Sequence, residues 1–140
     1  MPGGETARGR VLVVDDEMHL RLFIKAVFES AGYDTAMARD GEEGLAKARE
    51  FRPDLVSLDL MMPNQGGLRL LTELRRDPEL GKTKVLVVSA IESGTFDHSL
   101  ALLRAGPELA PAAPDGYVEK PPTAERLLRE AERILGRSGA

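Results

Sequence analysis

The sequence predicts an α/β protein built on a doubly wound, five-stranded parallel sheet, and three observations predict it. Three short apolar runs rich in β-branched residues, "RVLVVDD" at 10–16, "PDLVSLDL" at 53–60 and "KVLVVSA" at 84–90, read as strands buried on both faces. Segments with apolar residues at helical spacing separate the strands, and this alternation calls for helices on both faces of a parallel sheet, joined by right-handed crossovers. Polar residues close the runs: Asp15 and Asp16 the first, Asp59 the second of the three, Ser89 the third. An open α/β sheet places its ligand crevice at these carboxyl ends.

Each element follows in order. The first strand passes from four apolar residues into the acids Asp15, Asp16 and Glu17, a change that suits a strand end and not a strand core. "MHLRLFIKAVFESAG" then stacks Leu20, Phe23, Ile24, Val27 and Phe28 on one stripe, with Gly32 as its stop. A weaker strand is expected at "YDTAMA" (33–38). "DGEEGLAKAREF" starts on the capping residue Asp40 and carries Leu45, Ala48 and Phe51, while "GGLRLLTELRRD" carries Leu68, Leu71 and Leu74. A helix after the 84–90 strand ends near Gly106, and "PELAPAAPD" (107–115), with three prolines in nine residues, forms a stiff loop. "GYVEK" (116–120) is the last strand, closed by Lys120. "TAERLLREAERILG" has Thr123 as N-cap, Leu127, Leu128, Ala131, Ile134 and Leu135 as its apolar stripe, and Gly136 as its stop. Its Arg126, Arg129, Arg133 and Arg137 are interleaved with Glu125, Glu130 and Glu132 and read as a solvated face.

Composition narrows the function classes. With 140 residues, 42% hydrophobic and 30% charged, the chain forms one globular domain able to bury its own core. Residues 9–136 are expected to form that domain, between tails at 1–8 and 137–140. Cysteine is absent, which excludes disulfides and thiolate metal sites. No apolar run approaches the roughly 20 residues needed to cross a bilayer, and "MPGGETARGR" lacks the apolar core of a signal peptide, so a cytoplasmic protein without membrane contact is expected. The formal net charge of -4 argues against direct nucleic-acid binding.

The convergent polar residues suggest a chemistry. Carboxylates held together repel one another unless a cation offsets them. Oxygen ligands alone suit a hard divalent ion, most simply Mg²⁺. With no Cys, and with His19 and His98 both placed on helices, a zinc site is unsupported. Lys120 is a flexible point charge suited to a phosphoryl oxygen. Acids, metal, lysine and a hydroxyl are what phosphoryl transfer needs, since that reaction depends on positioning and charge neutralisation, and one acid can be the nucleophile. Singly these residues have plainer readings: a helix cap for Asp15-Asp16, a turn for Asp59, a backbone-bonded hydroxyl for Ser89, a solvated strand end for Lys120. Met62 reads as core, and Glu17 as a complement to the helix dipole rather than a ligand. It is the meeting of four such elements at one sheet edge that favours chemistry.

"VDDE" after the first strand, "LDLMMPNQGG" after the third, which fits D-x-x-M-P-x-x-x-G from Asp59 to Gly67, "VSA" after the fourth and "YVEKP" after the fifth resemble, in order and spacing, the receiver domain of two-component response regulators. The resemblance covers about residues 9–136. It implies a flavodoxin-like (βα)5 fold with strand order 2-1-3-4-5. It implies that Asp59 is the phosphoacceptor for a histidine kinase or a histidine phosphotransfer protein. Asp15, Asp16 and Asp59, with the backbone carbonyl of Met61, would hold Mg²⁺. Ser89 would bond a phosphoryl oxygen, Lys120 would pair with the phosphoryl group, Ser89 and Tyr117 would form the switch, and the Lys120-Pro121 bond would be cis. Such a phosphoprotein catalyses only its own phosphorylation and dephosphorylation, and signals to a downstream protein target or, in a phosphorelay, onward; some members dimerise when phosphorylated.

The chain departs from the pattern at 107–115, an insertion bordering the surface that many receivers use for dimerisation or output. No output module follows Gly136, so a stand-alone receiver is expected, although "GRSGA" also reads as the start of a linker. Two alternatives remain open here. A pseudo-receiver would bind partners without phosphorylation, and an Mg²⁺-dependent aspartyl-phosphate phosphatase would carry a second acid near the nucleophile, where this chain has Leu60 and Met61.

Overall fold

The computed structural model describes residues 8–63, 66–90 and 113–136, and among these residues nine elements follow one another. They are β1 (Arg10–Val14), α1 (Met18–Ser30), β2 (Asp34–Ala38), α2 (Gly41–Phe51), β3 (Leu55–Leu58), α3 (Gly66–Arg76), β4 (Lys84–Ser89), β5 (Gly116–Glu119) and α4 (Ala124–Leu135). The strands form one sheet in the order β2-β1-β3-β4-β5, with every pair parallel, as the resemblance implies. The helix expected before Gly106, residues 107–112 of the proline-rich loop, and His98 lie outside the described residues.

Alternation along the strands splits the core in two. Leu12, Val14, Val56, Leu58, Val85 and Val87 face one side, under Ala48 of α2 and Leu70, Leu71 and Leu74 of α3. Val11, Val13, Leu55, Leu86, Val88 and Val118 face the other, under Ile24, Val27 and Phe28 of α1 and Leu127 and Ala131 of α4. Among the described residues no helix is long and apolar enough to cross a membrane.

The helix ends are set by local chemistry. Glu17 is the N-cap of α1, accepting from the backbone N–H of His19 and Leu20, while Asp40 and Thr123 cap α2 and α4. Gly32 and Gly136 supply the positive φ that follows or ends α1 and α4. The α1 stripe is narrower than the sequence suggests. Phe23, about 100° round the helix from Ile24, stands at the rim of the buried face and is exposed. In α3 the buried set includes Leu70, and Leu68 is only half-buried. Of the tail expected over 1–8 only Arg8 is described; its N–H donates to the carbonyl of Gly32, and its guanidinium pairs with Glu132 and lies over the Tyr33 ring.

Gly67, in the first turn of α3, has no room for a side chain. A Cβ there would run into the carbonyl oxygen of Asp59 and come within 2.6 Å of the Leu60 Cα. Gly→Ala in a helix ordinarily stabilises by up to about 1 kcal/mol. Here Gly67→Ala is expected to destabilise instead, by about 3 kcal/mol, because backbone on both sides must move. Urea unfolding of the two proteins checks the sign.

Candidate functional site

The sheet order places β1 beside β3, so the acids that follow these strands become neighbours. The ladder runs on into both: the N–H of Asp15 donates to the carbonyl of Ala38, and that of Asp59 to the carbonyl of Val14. On the other side of β3, β4 ends at Ser89 and β5 runs into Lys120, whose N–H donates to the Ser89 carbonyl over 2.8 Å. Four strand ends therefore bring Asp15, Asp59, Ser89 and Lys120 to one edge. The Lys120–Pro121 peptide bond is cis.

Asp15 and Asp59 are almost fully buried, whereas Asp16 faces solvent. One carboxylate oxygen from each of the three lies within 4.8 Å of the others, a grouping that could hold a metal ion. Lys120 Nζ sits between the buried pair, 3.2 Å from Asp15 Oδ2 and 3.3 Å from Asp59 Oδ2. The remaining oxygens of that pair take backbone donors: the N–H of Glu17 to Asp15 Oδ1 and that of Met61 to Asp59 Oδ1, each at 2.9 Å. Burial pushes the Asp15 carboxyl above its ordinary range; the Glu17 N–H and the Lys120 charge pull it partly back, and the nearby Asp59 adds to the rise. Among the described residues Lys120 is the one cation paired with these carboxylates, which leaves the three acids short of positive charge.

Among the described residues, two buried oxygens of this site find no hydrogen-bond partner. Among those residues Asp15 Oδ2 meets only Lys120, and the Ser89 hydroxyl meets no donor or acceptor. A buried polar atom left unbonded costs free energy and is explained most simply by a ligand the site receives. Oxygen-only donors with this shortfall of charge fit a hard divalent cation. Tyr117, half-buried on β5, donates its hydroxyl to the Ser89 carbonyl across 3.5 Å, a long contact that ties the aromatic ring to the end of β4.

The sequence-predicted residues Asp15, Asp16, Asp59, Ser89 and Lys120 meet at this edge, with Tyr117 against the Ser89 carbonyl and Met61 bonded to Asp59. His19 stands on α1, exposed, and Met62 is buried in the core. Sequence reasoning missed Arg21, whose guanidinium donates to the Asp15 carbonyl at 2.8 Å, and the close packing of Gly67 on the Asp59 backbone. The D-x-x-M-P-x-x-x-G spacing contained the signal for Gly67; nothing local marked Arg21.

Carboxylates and a lysine gathered at the carboxyl edge of a 2-1-3-4-5 parallel sheet define a protein of the receiver class. The chain belongs to the response regulator receiver domain family of two-component systems, whose model matches residues 11–132. It is 41% identical over 101 residues to the DNA-binding response regulator MtrA of Mycolicibacterium smegmatis, covering 67% of this chain and 44% of that protein. It is 32% identical over 129 residues to the DNA-binding dual master transcriptional regulator RpaA of Synechocystis, covering 92% of this chain and 50% of that protein. The chain thus spans about half the length of these relatives. Among solved structures it resembles the chemotaxis response regulator CheY4 of Vibrio cholerae, with TM-score 0.76 and 27% identity over 89% of this chain and 97% of that one. A CheY-like receiver domain protein of Methanospirillum hungatei gives 0.74 and 28% over 91% and 93%.

Proposed function

We propose that this receiver is phosphorylated on Asp59 by the phosphohistidine of a histidine kinase or histidine phosphotransfer protein, and that the modification switches a protein-binding surface. The observation that carries this reading is the buried Asp15–Lys120–Asp59 group beside a Ser89 hydroxyl that has no partner among the described residues. A carboxylate oxygen of Asp59 forms a bond to phosphorus, and the P–N bond to the donor imidazole breaks, its electron pair staying on the ring nitrogen. Asp15, Asp16 and Asp59, with the Met61 carbonyl, would hold Mg²⁺. The ion supplies charge neutralisation between the carboxylates and the phosphoryl oxygens. Lys120 moves its charge from the carboxylate pair to a phosphoryl oxygen, and Ser89 donates its hydroxyl to another.

Once Ser89 turns towards the phosphoryl group, the end of β4 shifts between two packings, and Tyr117, bonded to the Ser89 carbonyl, shifts with it. The output is a protein contact made in the cytoplasm by the 9–136 domain, with a phosphorylation-dependent dimer as one form of it. Because MtrA and RpaA are named as DNA-binding regulators, control of a DNA-binding partner module is a second reading of the output. The net charge of -4 supports no direct nucleic-acid role for this domain.

Intact-mass measurement after incubation with acetyl phosphate, with and without Mg²⁺, tests the reading. One Mg²⁺-dependent phosphoryl adduct is expected, absent from Asp59→Asn. A folded protein that takes no adduct under any condition would be a receiver-like module that acts by binding alone.

A further inference from the structure

The strand that carries Lys120 to the acids is the shorter of the two edge strands among the described residues. β5 has four residues and, among the described residues, pairs with β4 alone. A slip of one residue would turn Tyr117 and Val118 to opposite faces and withdraw Lys120 from Asp15 and Asp59. Something must hold the register. At the carboxyl end the Lys120 N–H bond to Ser89 does part of it.

At the opposite end the chain uses side chains. The N–H of Asp115 donates to the Val85 carbonyl and, in return, Asp115 Oδ2 accepts from the N–H of Val85, both at 2.8 Å. The Asp115 carboxylate thus takes the N–H of the second β4 residue. The same oxygen receives Arg75 Nη2 from the end of α3 at 2.7 Å. Arg75 spends its other donors on carbonyls, Thr83 at 2.6 Å and Ala113 at 2.9 and 3.2 Å. Its side chain is only 14% exposed, so these bonds are largely shielded from water. A planar fork meeting one carboxylate and two carbonyls fixes direction as well as distance, which a lysine ammonium cannot do.

We infer that Arg75 and Asp115 are positioning residues for the phosphoryl site: they lock the register of β5 from the far edge of the sheet and thereby hold Lys120 between Asp15 and Asp59. This inference rests on the phosphoacceptor reading. Neither residue touches the reacting groups; both act through the strand. The pair is half-buried, and for shielded ion pairs the fixing of register is a better attested role than added stability.

The test compares Arg75→Met, Arg75→Lys and Asp115→Asn with the native chain at a temperature well below their unfolding transitions. The rate of adduct formation from acetyl phosphate and Mg²⁺ is expected to fall by about tenfold to 10²-fold in Arg75→Met, the scale of a misplacement near 1 Å. Arg75→Lys keeps the charge without the fork and is expected not to restore the rate. Asp115→Asn keeps an acceptor for Val85 and is expected to lie between. In a Lys120→Ala background Arg75→Met is expected to cost nothing more, because the side chain it positions is gone. Amide exchange at Val118, Glu119 and Lys120, read by NMR without phosphorylation, is expected to quicken in all three variants. Rates near native in stable variants, full additivity with Lys120→Ala, or unchanged exchange would overturn the inference. Absence of an adduct in the native protein would instead strike the phosphoacceptor reading, and the exchange measurement would still decide the clamp.

Discussion

Lys120→Ala is expected to slow phosphorylation of the folded protein by about 10²-fold, the usual cost of removing one preorganised charge partner from a transferring group. The same change is expected to lower stability at neutral pH, without divalent cation, by about 3 kcal/mol. Both effects have one cause. Lys120 Nζ is the positive group within 3.3 Å of both Asp15 Oδ2 and Asp59 Oδ2, and these two carboxylates are almost fully buried. Without it they face each other uncompensated, and part of the cost is relieved only by proton uptake. Mg²⁺ would supply the lost charge from outside the chain, so the stability deficit should shrink on its addition while the rate deficit remains. Urea unfolding with and without Mg²⁺, beside adduct formation followed by intact mass, separates the two. A variant as stable as the native chain in chelator would show that Lys120 does not offset the acids; a variant phosphorylated at the native rate would remove it from the transfer step.

The parts of this molecule that were legible in the sequence are those whose physics is local. Strands buried on both faces leave uninterrupted apolar runs, so β1, β3 and β4 stood out, and an acid directly after such a run marks a strand end. Caps are local too, and Asp40 and Thr123 bond the N–H groups three residues on. Adjacent residues at a strand end point opposite ways, so the doublet Asp15-Asp16 must split into one buried and one exposed acid, but which is which depends on where the sheet stops. What could not be read depends on partners far apart in the chain. Arg75 and Asp115 are 40 residues apart and each looks like an ordinary surface charge. The D-x-x-M-P-x-x-x-G spacing marks Gly67, but the reason no side chain fits there shows only once the backbone of Asp59 is found against it. Phe23 obeys the helical period yet stays exposed, because periodicity marks the centre of a buried face better than its rim.

Asp15→Asn is expected to make the metal-free protein more stable at neutral pH than the native chain, and to abolish its stabilisation by Mg²⁺. Burial raises the Asp15 carboxyl above its ordinary value of 3.8, so the folded protein holds that proton more tightly than the unfolded chain does. Between the ordinary value and the raised one, the folded state binds more protons, and stability therefore falls as pH rises. The contribution is complete below the ordinary carboxylate range and is lost as pH rises through the raised value, so ionising the metal-free site costs stability. An amide at position 15 has no proton to lose. It can keep the bond from the Glu17 N–H, and it leaves Lys120 with the single buried partner Asp59. The native chain should instead gain stability from Mg²⁺ by about 2.7 kcal/mol at a concentration 100-fold above the dissociation constant, a figure that follows from mass action alone. Thermal unfolding of both proteins from acid to neutral pH, in chelator and in excess Mg²⁺, gives four curves. Relative to Asp15→Asn, the native chain should lose stability with rising pH in chelator and recover it in Mg²⁺, while Asp15→Asn should be indifferent to the ion. A variant that still gains from Mg²⁺ would move the cation away from Asp15. One that is less stable than the native chain in chelator would mean that the ion pair with Lys120 outweighs the cost of burying the charge, and that the site is built to stand without a metal.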